Sequence, residues 1–188
     1  MTDYFALLDQ PRQPWLEPEQ LKQAFHTKTL SLHPDTQPKQ SETGFAEINE
    51  AYQVLRDPKR RLEHLLDLEG YRPPKRSAVI PKQVEALFPA IASLMRNADV
   101  LAGKLREATH ALSRSLLKAE TLRLQDGLHE AHEKVSRLNA DALVELKQLR
   151  AEDVAELHEL YLVFSYCGRW LSELEEKRLQ LALPNVSS

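Results

Sequence analysis

The sequence predicts an all-α protein, and three observations carry that expectation. Five glycines stand against eleven prolines, which reads as helices separated by proline punctuation. Alternating apolar and polar runs of the kind a half-buried strand needs are few, whereas apolar residues recur at spacings of three and four. The clearest seam runs through Leu124, Leu128, Ala131, Val135, Leu138, Ala142, Leu146 and Leu149, the pattern of a helix that buries one stripe against partner helices.

The elements follow in order. Pro18 suits the first turn of a helix, where its missing N–H costs nothing, so a helix is expected over residues 18–32, with Pro34 ending it. Leu21, Phe25, Lys28 and Leu32 share one stripe, and Lys22 and His26 fall on a neighbouring, outward one. Residues 35–40 are polar and contain a proline, as a solvated loop requires, and Ser41 is placed to cap the next helix. That helix sets Phe45, Ile48, Ala51, Tyr52 and Leu55 on one face, suited to antiparallel packing on its predecessor. Asp57-Pro58 reads as a cap followed by proline at the first helical position. It opens a short helix with Leu62, Leu65, Leu66 and Leu68 to bury, stopped at Gly70.

Residues 71–82 hold three prolines and several basic residues with no acid, and read as a linker. Beyond them three long helices are expected, with seams through Val84, Leu87, Ile91, Leu94, Ala98, Leu101, Leu105, Ala108 and Leu112, through the stripe named first, and through Leu157, Leu160, Phe164, Cys167, Leu171 and Leu174. Breaks are placed near residues 120–122 and 150–152, and Gly103 and Gly127 fall inside the helical runs. The expected division is residues 1–70, a linker at 71–82, a three-helix domain at 83–182 and a tail at 183–188.

A chain of 188 residues with 42% hydrophobic content can build one or two cores without a metal or disulfide staple. Its net charge of -3 argues against broad nucleic-acid binding, which needs excess Lys and Arg to neutralise phosphates. The single cysteine, Cys167, has no internal partner, and residues 1–3 lack the basic and then apolar opening of a secretory signal. A reducing cytoplasmic location is therefore expected. Apolar stretches fall short of the ~20 residues that span a bilayer, so no membrane partner is expected.

The most informative motif is His33-Pro34-Asp35, set between the two helices. Three residues alone are weak, and the flanks add Asp3-Tyr4-Phe5-Ala6-Leu7-Leu8, Ala24-Phe25, Leu32, and Ala51-Tyr52-x-Val54-Leu55-x-Asp57-Pro58-x-x-Arg61. This arrangement resembles a J domain over roughly residues 1–70. The resemblance implies docking on a DnaK-type chaperone and stimulation of its ATPase, with no hydrolysis by the J protein itself. A carboxylate such as Asp35 can pair bidentately with a partner arginine. Pro34 stiffens the loop so that docking loses less entropy, and His33 offers a ring nitrogen. The resemblance also implies a basic docking face, here Lys22, His26 and Lys28, with Lys59, Arg60 and Arg61 further along. Thr27 and Ser31 stand where the family often has basic residues, so steering toward an acidic partner is expected to be weakened.

The layout of J domain, linker and three helices resembles HscB, the co-chaperone of iron–sulfur cluster assembly. Residues 61–70 and the Leu171-Ser172-Glu173-Leu174-Glu175-Glu176-Lys177 segment carry that likeness, and the Gly/Phe-rich segment and paired-cysteine repeats of general DnaJ proteins are missing. The resemblance implies an iron–sulfur scaffold as client, gripped at the start of the C-terminal domain by an apolar and acidic patch. Leu87, Phe88, Leu94 and Met95 are the apolar candidates there, the alternative being bundle core, and the acidic cluster is absent from this chain. A J-domain adaptor with an unrelated client, or with a self-assembling helical domain, is the competing expectation.

Other patterns are discounted. His129 and His132 are three residues apart, whereas a zinc-protease helix needs four, so no metal is expected. Cys167 lies on an apolar stripe and reads as a small hydrophobe. No phosphate loop or Ser-His-Asp set is visible, so neither catalysis nor a cofactor is expected.

Overall fold

The computed structural model describes residues 2–31, 41–72 and 80–182. The described residues form seven helices and no strand, so the all-α expectation holds. In chain order they are α1 (Tyr4–Leu7), α2 (Pro18–Ser31), α3 (Ser41–Arg56), α4 (Pro58–Leu68), α5 (Lys82–Glu107), α6 (Ala111–Leu146) and α7 (Val154–Ala182). Among the described residues no helix is long and apolar enough to cross a membrane. Two compact units emerge, Met1–Ala78 with Ala142–Phe164, and Val79–Asp141 with Ser165–Ser188. Residues 142–164, expected to belong with a single stretch at 83–182, thus group with the first unit.

In the first unit, α1, α2 and α4 each pack against α3. Asp3 caps α1, its Oδ1 accepting from the N–H groups of Phe5 and Ala6 at 3.0 and 3.2 Å, and the helix buries Phe5. α1 ends in a Schellman turn in which Gln10 N donates to Phe5 O at 2.8 Å. Asp9 takes the left-handed position there, at φ 51°, a conformation Asp tolerates better than most residues. α2 buries Leu21, and α3 answers with Ile48, Ala51, Val54 and Leu55. Phe25 stacks on Tyr52 with ring centroids 4.4 Å apart, so the facing surfaces of α2 and α3 are those the spacing predicted. Phe45 is the exception: near the start of α3, it is 47% exposed.

Asp57 and Pro58 open α4 as expected, with Asp57 Oδ1 accepting from Arg60 N at 2.8 Å. The exit is a second Schellman turn: Tyr71 N donates to Leu66 O at 2.9 Å and Gly70 N to Asp67 O at 3.1 Å. Gly70 has φ 68°, which a side chain would strain.

The second unit contains α5 and parts of α6 and α7. α5 runs antiparallel to α6, because Lys104 pairs with Glu120 while Leu94 lies against Gly127. It runs parallel to α7, since Phe88 meets Trp170 and Asp99 meets Lys177. The up-down-up bundle is the expected one, and Val84, Ile91, Ala98, Leu101, Leu124, Leu128, Ala131, Val135, Cys167 and Leu174 fill its core.

The helix breaks need one correction. α6 passes unbroken through residues 120–122, and the first break lies at 108–110. No Gly or Pro marks it, and the leucine seam continues across it into Leu112, which is 73% exposed on α6. Arg114 covers the exposed end of α5 by donating from Nε to Ala108 O at 2.9 Å. The second break includes residues 150–152 as expected, with Arg150 N donating to Asp153 Oδ2 at 2.8 Å. Pro89 lies inside α5 on its exposed face, where water can satisfy the carbonyl it leaves unbonded.

Candidate functional site

His33, Pro34 and Asp35 lie outside the described residues, between the last residue of α2, Ser31, and the first of α3, Ser41. What is described is the frame on either side. Lys22 and His26 are exposed on the outer face of α2, as expected. Lys28 is half-buried and paired with Asp9 at 2.7 Å, so its charge is partly spent within the fold. Lys59 is half-buried with its ammonium 6.0 Å from the centre of the Tyr161 ring. Arg60 is exposed and holds Glu50 at 2.7 Å.

Arg61 departs from expectation. It is 3% exposed, donating from Nε to Pro14 O at 2.7 Å and from Nη1 to Leu55 O at 2.5 Å. Its guanidinium also lies 6.0 Å from the centre of the Trp15 ring. Burial pushes its pKa down to about 10, with Asp57 opposing the fall, so the group stays charged at neutral pH. Arg61 is thus a strut joining the segment before α2 to α4, and not a surface contact. Its position four residues before Leu65, on the stripe α4 buries, was the sequence sign of this.

His64 is a second residue that sequence reasoning passed over. It is buried, and Nε2 accepts from Tyr4 N at 3.1 Å, one of the donors that the start of α1 leaves without a helical partner. The ring stacks near Phe5 at 5.7 Å and Tyr4 at 4.6 Å. Desolvation lowers its pKa, against the pull of Asp3 and Asp67, which suits a neutral acceptor. Burial would raise the Asp3 carboxyl, but Arg12 at 2.6 Å and the cap N–H groups outweigh it, and the pKa falls.

The first unit also gathers aromatic and cationic groups from residues 142–164. Lys147 lies 4.3 Å from the centre of the Trp15 ring, Tyr161 donates its hydroxyl to Glu63 at 3.4 Å, and Tyr71 meets His158 at 5.3 Å.

At the candidate client patch, Leu87, Leu94 and Met95 are half-buried, and Phe88 is 39% exposed. Phe88 stands edge-on to Trp170 at 5.6 Å and to Tyr166 at 6.2 Å, while the Arg169 guanidinium lies 5.1 Å from the centre of the Tyr166 ring. Tyr166 and Trp170, four residues apart on α7, share a face by that spacing, Tyr166 half-buried and Trp170 buried at 4%. No cluster of metal-ligating side chains occurs among the described residues. Cys167 is buried, and desolvation pushes its thiol up to about 11, so it packs as an apolar residue.

Comparison with known proteins adds the family. Residues 3–64 match the DnaJ domain. The chain is 41% identical over 64 residues to the chaperone protein DnaJ of Caldicellulosiruptor saccharolyticus, covering 33% of this chain and 16% of that one. It is equally identical over 64 residues to the human DnaJ homolog subfamily B member 3, covering 32% and 43%. The chain therefore matches less than half the length of these curated relatives. A solved structure, chaperone HscB from Vibrio cholerae, superposes with a TM-score of 0.62 at 22% identity, over 96% of this chain and 99% of that one. That likeness is one of fold, and it extends through the three long helices. Residues 3–64 are a J domain, and the chain is a J-domain protein with an HscB-like fold.

Proposed function

We propose that this chain is a co-chaperone whose J domain docks on a DnaK-type ATPase and stimulates its ATP hydrolysis while the C-terminal helices deliver a client. The observation that carries this reading is the placement of His33-Pro34-Asp35 between α2 and α3, two helices locked by Phe25 on Tyr52, inside the segment matching the DnaJ domain. Asp35 supplies the carboxylate for a partner arginine, and charge-assisted bidentate pairs combine strength with orientation. Lys22 supplies exposed positive charge to steer an acidic partner, with His26 exposed on the same face, and Lys28, Lys59 and Arg60 contribute less because each already has an internal contact. The test is single-turnover ATP hydrolysis by a DnaK-type chaperone with and without the chain. His33→Gln and Asp35→Asn are expected to abolish stimulation with an unchanged melting temperature, and stimulation surviving in both would defeat the reading.

The client we propose is an iron–sulfur cluster scaffold, held at the patch around Phe88 with Leu87, Leu94 and Met95. Support comes from the HscB-like fold of the whole chain and from the half-exposed Phe88 beside Tyr166 and Trp170. An unrelated client is the second reading, favoured by the lack of an acidic cluster over residues 84–99. A pull-down with purified scaffold separates the two: capture that is lost in Phe88→Ala supports the first, and no capture supports the second.

A further inference from the structure

We propose that the second unit carries a separate docking groove for an acidic amphipathic helix of a partner protein, formed where the end of α5, the start of α6 and the end of α7 meet. A cavity of about 630 Å³ opens there. Leu105, Leu122 and Leu181 give it apolar walls, and Arg106, Arg114 and Lys118 line it with positive charge; no Asp or Glu is among its lining residues. Both arginines are held in place by their Nε atoms, Arg106 on Ala102 O at 3.3 Å and Arg114 on Ala108 O at 2.9 Å. The outer nitrogens of each guanidinium make no hydrogen bond to the described residues, and a pre-positioned fork of this kind loses little entropy in taking a carboxylate. Lys118 makes no ion pair among the described residues either.

The apolar wall reaches the surface at Leu122, which is 52% exposed, between Lys118 and the end of α7. An open groove with leucine walls is the surface an amphipathic helix covers with anchors spaced three and four apart. Charge then selects the occupant. A second copy packed about a two-fold axis would bring Arg106, Arg114 and Lys118 against their own counterparts, which opposes association. A helix with leucine-type anchors flanked by glutamate or aspartate satisfies both the walls and the rim.

The test uses the full chain and two fluorescein-labelled helical peptides of about 18 residues, a length of ~27 Å. They share leucines at three-and-four spacing, with glutamates on the flanking positions of one and lysines on the other. The glutamate peptide is expected to give a saturable anisotropy change that weakens with salt, and the lysine peptide to bind at least about tenfold more weakly. Lys118→Glu and Leu122→Ser alter exposed side chains, so both should melt like the parent while each weakens the glutamate peptide by about tenfold. Equal binding of the two peptides, indifference to both substitutions, or no saturation by the glutamate peptide would overturn the proposal. So would a saturable response to dodecanoate with none to the peptide, which assigns the cavity to a small amphiphile. Chaperone stimulation is expected to be unchanged in both variants, so failure here and failure of the co-chaperone reading are distinguishable.

Discussion

Replacing Arg61 by alanine should destabilise the first unit without touching the docking loop. The side chain donates to two carbonyls, Pro14 O at 2.7 Å and Leu55 O at 2.5 Å. Bonds from a charged donor contribute about 1.5–3 kcal/mol each, or roughly 3–6 kcal/mol for the pair. Against this stands the cost of burying the charge. The fall of its pKa from 12.5 to about 10, at 1.36 kcal/mol for each tenfold change in proton affinity, corresponds to about 3 kcal/mol. Alanine removes that cost but leaves two acceptors unbonded, so a net loss of about 2 kcal/mol is expected. Arg61→Lys keeps a charge with a single point of donation and should lose about 1 kcal/mol. Urea unfolding followed by circular dichroism at pH 7 measures both. The reasoning is refuted if Arg61→Ala unfolds within about 0.5 kcal/mol of the parent and, still folded, fails to stimulate a DnaK-type ATPase, because Arg61 would then be a partner contact.

Two further outcomes follow from the packing. His64 has a lowered pKa in the fold, so the unfolded chain binds more protons between that value and 6.5. Stability is therefore full above pH 6.5 and falls as pH drops through this window. His64→Gln can still accept from Tyr4 N without titrating, and melting temperatures between pH 7 and 5 should flatten. His158 is lowered by desolvation too, so a residual slope should vanish only in the double variant, and an unaltered slope in His64→Gln would contradict the assignment. Gly103→Ala adds a Cβ that meets nothing within 4 Å and should stabilise α5 by about 0.5–1 kcal/mol. The same change at Gly127 sets its Cβ 3.0 Å from Leu94 Cδ2, so thermal melts should show a smaller gain or none.

Local signs carried much of the fold. Asp57-Pro58 and Gly70 were readable because capping chemistry acts within one turn, and the α2–α3 hairpin because Phe25, Tyr52, Ile48 and Leu55 fall on faces set by helical geometry. The break at 108–110 was not readable, since it has neither glycine nor proline and the leucine spacing runs straight across it. The site was legible in part. The exposed positions of Lys22 and His26 on α2 were readable from helical spacing, whereas the tripeptide lies outside the described residues, and Arg61 read as part of the basic docking face. Its spacing to Leu65 marks it for the buried stripe, but the Pro14 carbonyl that receives it lies 47 residues away and is brought there by the tertiary fold. His64 escaped for the same reason, as its partner is the backbone of Tyr4, 60 residues away.

The grouping of residues 142–164 with the N-terminal unit bears on how the protein matures during synthesis. The J domain leaves the ribosome before Lys147 and Tyr161, which cover Trp15 and reach Glu63 and are translated only after α5 and α6. At about 5–20 residues per second, the early helices wait several seconds for these neighbours. A nascent chain stalled before residue 142 would therefore present Trp15 uncovered, a natural target for holding chaperones until elongation resumes.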